Sequence, residues 1–62
     1  MKSLLKYQKS QFIIKENVDG NTKLAFYCYS IDEALKRLKF VTGNSYTSKF
    51  LESLQNGQVI NL

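Results

Sequence analysis

The chain has 62 residues, 9 of them basic and 5 acidic for a formal net charge of +4, and it lacks histidine, tryptophan and proline. That length allows one small domain, residues 1–62, which buries only about 60% of its unfolded-chain surface and so gains from a partner. A hydrophobic share of 44% with 13% aromatics excludes a disordered tail, and no apolar run longer than Leu24–Tyr29 is present to form a membrane helix.

Met1 to Lys6 begins like a secretion signal, but Lys6 and Lys9 interrupt the apolar stretch before it forms. The single cysteine, Cys28, cannot staple the fold by itself, as a secreted domain this small would require. The expectation is a soluble, cytoplasmic protein without a membrane partner. Leu4 and Leu5 blur the alternation of the first segment. Residues 1–9 read as a first strand, a bulged extension or a loose arm.

The next segments predict an antiparallel hairpin. Asn17-Val18-Asp19-Gly20 suits a three-residue loop in which Gly20 takes the left-handed conformation. Taking Val18, Asp19 and Gly20 as the loop sets Asn17 opposite Asn21, Ile14 opposite Leu24, Phe12 opposite Phe26 and Ser10 opposite Cys28. The even-numbered side chains then share one apolar face. A two-residue loop at Asp19-Gly20 would slip the register by one and mix the faces.

Ser30-Ile31-Asp32-Glu33 is a capping box, in which the Ser30 hydroxyl accepts from the Glu33 N–H and the Glu33 carboxylate reaches back to Ser30 N–H. Ile31, Ala34, Leu35, Leu38 and Val41 follow at helical spacing, and Gly43 ends the helix. A second helix is predicted from about Thr47 to Asn56, its face formed by Tyr46, Phe50, Leu51 and Leu54. The tail Val59-Ile60-Asn61-Leu62 could add a short strand. The fold expected is therefore α+β: an antiparallel β-hairpin, with a third short strand as an option, packed against one or two α-helices. Phe12, Ile14, Leu24, Phe26, Leu35 and Leu38 should form its core.

Catalysis is not expected. Without histidine there is no Ser-His or Cys-His pair and no imidazole ligand. Cys28 falls on the core face of a strand, where cysteine acts as a small hydrophobe. Asp32 and Glu33 sit in a helical first turn, where the macrodipole favours anions. No phosphate-cradling glycine loop, metal site or cofactor site is legible.

Binding is the better fit. Residues 1–29 carry five lysines against Glu16 and Asp19, whereas the charges of residues 30–62 nearly balance. On the helix, Asp32 with Lys36 and Glu33 with Arg37 form favourable i,i+4 pairs. The outward hairpin face has no such balance. Lys9, Lys15 and Lys23, with Tyr27 and Tyr29 between them, suit phosphate contact combined with base stacking. Lys15 opposite Lys23 costs stability by up to about 1 kcal/mol. Phe40 lies away from the apolar stripe, among Glu33, Lys36 and Arg37. The chain after Gly43, Tyr46 included, is expected to cover it; otherwise it is an exposed anchor for a partner.

Thr22 to Phe50, with Tyr29-Ser30-Ile31-Asp32-Glu33-Ala34-Leu35 and Thr42-Gly43-Asn44-Ser45-Tyr46, resembles the helical part of WGR domains of poly(ADP-ribose) polymerases. The resemblance implies nucleic-acid association, although the Trp-Gly-Arg signature is absent and the helix is shorter. The short Lys/Asn/Ile-rich chain is also similar to accessory proteins of phages and mobile elements. Two functions follow. The first is a non-enzymatic basic module contacting nucleic acid through Lys9, Lys15, Lys23, Tyr27 and Tyr29. The alternative is an accessory or inhibitor protein docking on a larger host protein through Phe40, Lys36 and Arg37. Open hairpin edges and a small core also make a homodimer reasonable.

Overall fold

The computed structural model describes residues 2–62 as an antiparallel four-stranded sheet with two helices packed on one face. In chain order the elements are β1 (Lys2–Gln8), β2 (Gln11–Val18), β3 (Asn21–Cys28), α1 (Ile31–Thr42), α2 (Ser48–Glu52) and β4 (Gln58–Asn61). The α+β class and the hairpin on a helix are as expected. The strand order is β3-β2-β1-β4, so the ambiguous first segment is a central strand. No described helix is long and apolar enough to cross a membrane.

β1 and β2 are joined by the two-residue turn Lys9-Ser10, whose φ angles of 52° and 61° are both left-handed. Such a turn matches the twist of the strands it joins, but side chains make its backbone strained. Asn56 Oδ1 accepts from the Lys9 N–H at 2.8 Å and ties the turn to the loop before β4. Leu5 is paired with Ile14 on one side and Ile60 on the other, and it is fully buried. Leu4 turns to the opposite face, between Lys15 and Asn61. Leu4 is thus a half-buried apolar residue on the face the helices leave uncovered, which is why the alternation of β1 is blurred.

The β2–β3 connection corrects the expected register. The loop is the two-residue Asp19-Gly20, with φ of 52° and 81°, and Val18 pairs with Asn21. A bulge then restores the parity that this loop would have lost. Asn17 faces Thr22 and Glu16 faces Leu24, which leaves Lys23 as the extra residue. Beyond the bulge Lys15 faces Ala25, Ile14 faces Phe26 and Phe12 faces Cys28. The even-numbered face is therefore kept, while each partner is displaced by two. Lys15 and Lys23 are not opposite one another, so their expected repulsion is absent from the ladder.

Ser30 caps α1, its hydroxyl accepting from Glu33 N–H at 3.2 Å. The Glu33 carboxylate reaches one residue further back than expected and accepts from Tyr29 N–H at 3.1 Å. Gly43 closes the helix at φ 78°, donating to the Lys39 carbonyl at 2.8 Å. α2 begins at Ser48 after the N-cap Thr47, one residue from the expected start, but ends at Glu52, four residues short of the expected Asn56. The Ser53 hydroxyl donates to the Phe50 carbonyl at 2.7 Å, and Asn56 is used against the Lys9 turn. Leu5, Phe12, Ile14, Cys28, Ala34, Leu38, Leu51 and Leu54 form the buried core. Phe26 and Leu35 pack at its margin. Leu24, expected inside, is 37% exposed because the displaced register sets it beside Glu16 instead of Ile14.

Candidate nucleic-acid interface

Alternation along the strands divides the sheet into a covered and an open face. Leu5, Ile14, Phe26 and Ile60 turn toward the helices. On the other side one cross-strand row runs Tyr27, Ile13, Lys6, Val59, and the next runs Ala25, Lys15, Leu4, Asn61. Tyr27 is 54% and Val59 53% exposed, while Ile13, Leu4, Lys6 and Lys15 are half-buried. Half-burial of the lysines fits stems lying along apolar surface with the ammonium in water.

The electrostatics of this face follow from the same alternation. Glu16, the one carboxylate within the four strands, shares the parity of Ile14 and turns to the covered side, where it is 8% exposed. Lys2, Lys6 and Lys15 share the opposite face with no acid among them. Asp19 sits in the β2–β3 turn.

The structure brings some of the expected residues together and separates others. Lys15 and Tyr27 lie on the open face. Tyr29 stands just past β3, 73% exposed, and its hydroxyl accepts from Gln11 Nε2 at 3.0 Å, which holds the ring at the end of that face. Lys9 is in the turn at the same end, and Lys23 is in the bulge at the other. Lys2 and Lys6 were missed as site residues, because β1 could not be placed beside β2 without the Lys9-Ser10 turn.

Lys36, Arg37 and Phe40 belong to α1, in the other layer. Phe40 is 68% exposed, so the chain after Gly43 does not cover it. Tyr46 instead stacks on Phe50, with ring centroids 5.3 Å apart. Phe40 meets the Phe26 ring edge-on at 5.9 Å, and the Arg37 guanidinium lies over that ring at 4.7 Å. The expected Glu33–Arg37 pairing gives way to these contacts, with Glu33 bonded to Tyr29 N–H. Cys28 is 1% exposed; burial foremost, and then the Glu33 carboxylate, push its thiol pKa up, with Arg37 opposing. A thiol so held is a poor nucleophile.

Compared with family models, curated proteins and solved structures, the chain matches none.

Proposed function

We propose that this chain is a small non-enzymatic cytoplasmic module that binds single-stranded nucleic acid on the open face of its sheet. The supporting observation is a face without carboxylates that carries Lys2, Lys6 and Lys15 on its inner strands and an exposed Tyr27 on its edge strand. Ammonium groups there neutralise phosphates and release counterions. The Tyr27 ring offers a stacking platform to an unpaired base, with Ile13 beside it and Val59 at the far end of the same row. Eight of the nine cations are lysine, which suits phosphate contact better than bidentate base readout.

Titration with short single- and double-stranded oligonucleotides at two salt concentrations tests this reading. Each of Lys6→Ala and Lys15→Ala should lower the salt slope by about one unit, and Tyr27→Ala should cost roughly 1–3 kcal/mol of binding. Absence of binding at low salt, where the electrostatic contribution is greatest, would refute it.

A second reading, docking on a larger protein, draws on Phe40, whose ring is 68% exposed beside Arg37 and Lys36. It predicts that Phe40→Ala abolishes capture of the partner with little dependence on salt.

A further inference from the structure

The rim of the sheet carries backbone groups that the fold leaves unused. β3 is an edge strand, paired with β2 alone. Val18 and Asn21 close the two-residue turn, and alternation beyond the bulge aims the even-numbered β3 residues at β2. Tyr29 agrees with this sense, since its N–H turns to Glu33. The N–H and C=O groups of Ala25 and Tyr27 therefore point off the edge.

Edge strands are commonly protected by charge, proline, a bulge or a covering element. In β3 such devices occur only at the ends: Lys23 with its bulge at one, Glu33 across Tyr29 N–H at the other. Between them Leu24-Ala25-Phe26-Tyr27-Cys28 bears no charge. Phe40 stands exposed against Phe26 just inside this rim.

We propose that β3 pairs antiparallel with β3 of a second copy, about a twofold axis at Phe26. Charge selects this occupant. In that register Lys23 of each copy comes alongside Tyr29 of the other, whose amide holds the Glu33 carboxylate, so opposite charges meet at both ends. The charge-free middle of β3 meets itself, with the Arg37 guanidinium of each copy held over its own Phe26 ring. Ala25 exchanges backbone hydrogen bonds with Tyr27 of the second copy, and the two Phe26 positions face each other across the axis, each with its own Phe40 alongside. Such a contact is isologous and closed, and it joins two four-stranded sheets into one of eight strands. It does not depend on the nucleic-acid reading.

Sedimentation of the purified chain without nucleic acid, over a wide concentration range, tests the proposal. The wild type should pass from monomer to dimer mass as concentration rises. Ala25→Pro removes an N–H that points off the edge and leaves the β2 ladder intact, so the variant should stay monomeric with an unchanged circular dichroism spectrum. Phe40→Lys, at an exposed helix position, adds a second cation beside Arg37 in each copy near the axis and should raise the dimer dissociation constant roughly tenfold or more. A wild type that stays monomeric at its highest soluble concentration overturns the proposal, and so does a dimer that survives Phe40→Lys or a folded Ala25→Pro.

Discussion

Leu38 and Leu24 were both expected in the core, and their environments now make opposite predictions. Leu38 has no exposed surface, whereas Leu24 is 37% exposed at the margin. Leu38→Ala should cost about 2–5 kcal/mol, and Leu24→Ala about 1 kcal/mol or less. Urea unfolding of the two variants checks the contrast. Cys28 makes a prediction about pH. Its folded thiol is held above the ordinary value of 9.0, so the unfolded thiol loses its proton first as pH rises. The unfolded state then binds fewer protons, and the contribution of Cys28 to stability falls as pH rises through that ordinary value. Cys28→Ala has no such dependence. The gap in urea midpoint between wild type and variant should therefore shift against the wild type from pH 7 to pH 10; a constant gap would refute it.

At the scale of elements, the two hairpin turns differ in how plainly the chain announces them. Asp19-Gly20 is a strong turn signal, and Ser30 with Glu33 is a strong helix start. Lys9-Ser10 is neither, yet both residues adopt positive φ. The strain predicts a stabilising change: Lys9→Asn with Ser10→Gly should add about 1–2 kcal/mol, read from the thermal or urea midpoint. The same silence explains why β1, and with it Lys2 and Lys6, could not be placed from sequence. The β2–β3 register failed for another reason. A shift of two residues preserves the side-chain face, so Phe12, Ile14, Phe26 and Cys28 are assigned inward correctly while every partner is wrong. Nothing in Thr22-Lys23-Leu24 marks Lys23 as the residue the bulge sets aside. Phe40 was misjudged because Tyr46, its expected cover, stacks on Phe50.

The whole molecule measures 30 × 23 × 16 Å, thin enough for only one sheet and one helical layer. This thinness separates the two candidate surfaces. Lys15 and Tyr27 look out from the sheet, Arg37 and Phe40 from the helical side, and a ligand on one face leaves the other free. A core of eight buried hydrophobic side chains among the described residues leaves little stability in reserve, so bound ligand should show strongly in melting. An oligonucleotide at one hundred times its dissociation constant should add about 2.7 kcal/mol, and each 1 kcal/mol moves the midpoint by roughly 4–8 °C at this chain length. Thermal melts with and without oligonucleotide should show that rise at low salt and its loss at high salt.

The pairing of β4 with β1 has a mechanical side. Leu62 N–H donates to the Ser3 carbonyl at 2.8 Å, and Gly57 N–H to the Tyr7 carbonyl at 2.6 Å, at opposite ends of the same antiparallel ladder. Tension applied between residues 3 and 62 therefore enters the ladder at one end and loads its rungs one at a time. The strand peels instead of shearing, and the first event under load is release of β4. That release bares the backbone of β1, so a pull on these two residues opens a new edge in the middle of the original sheet.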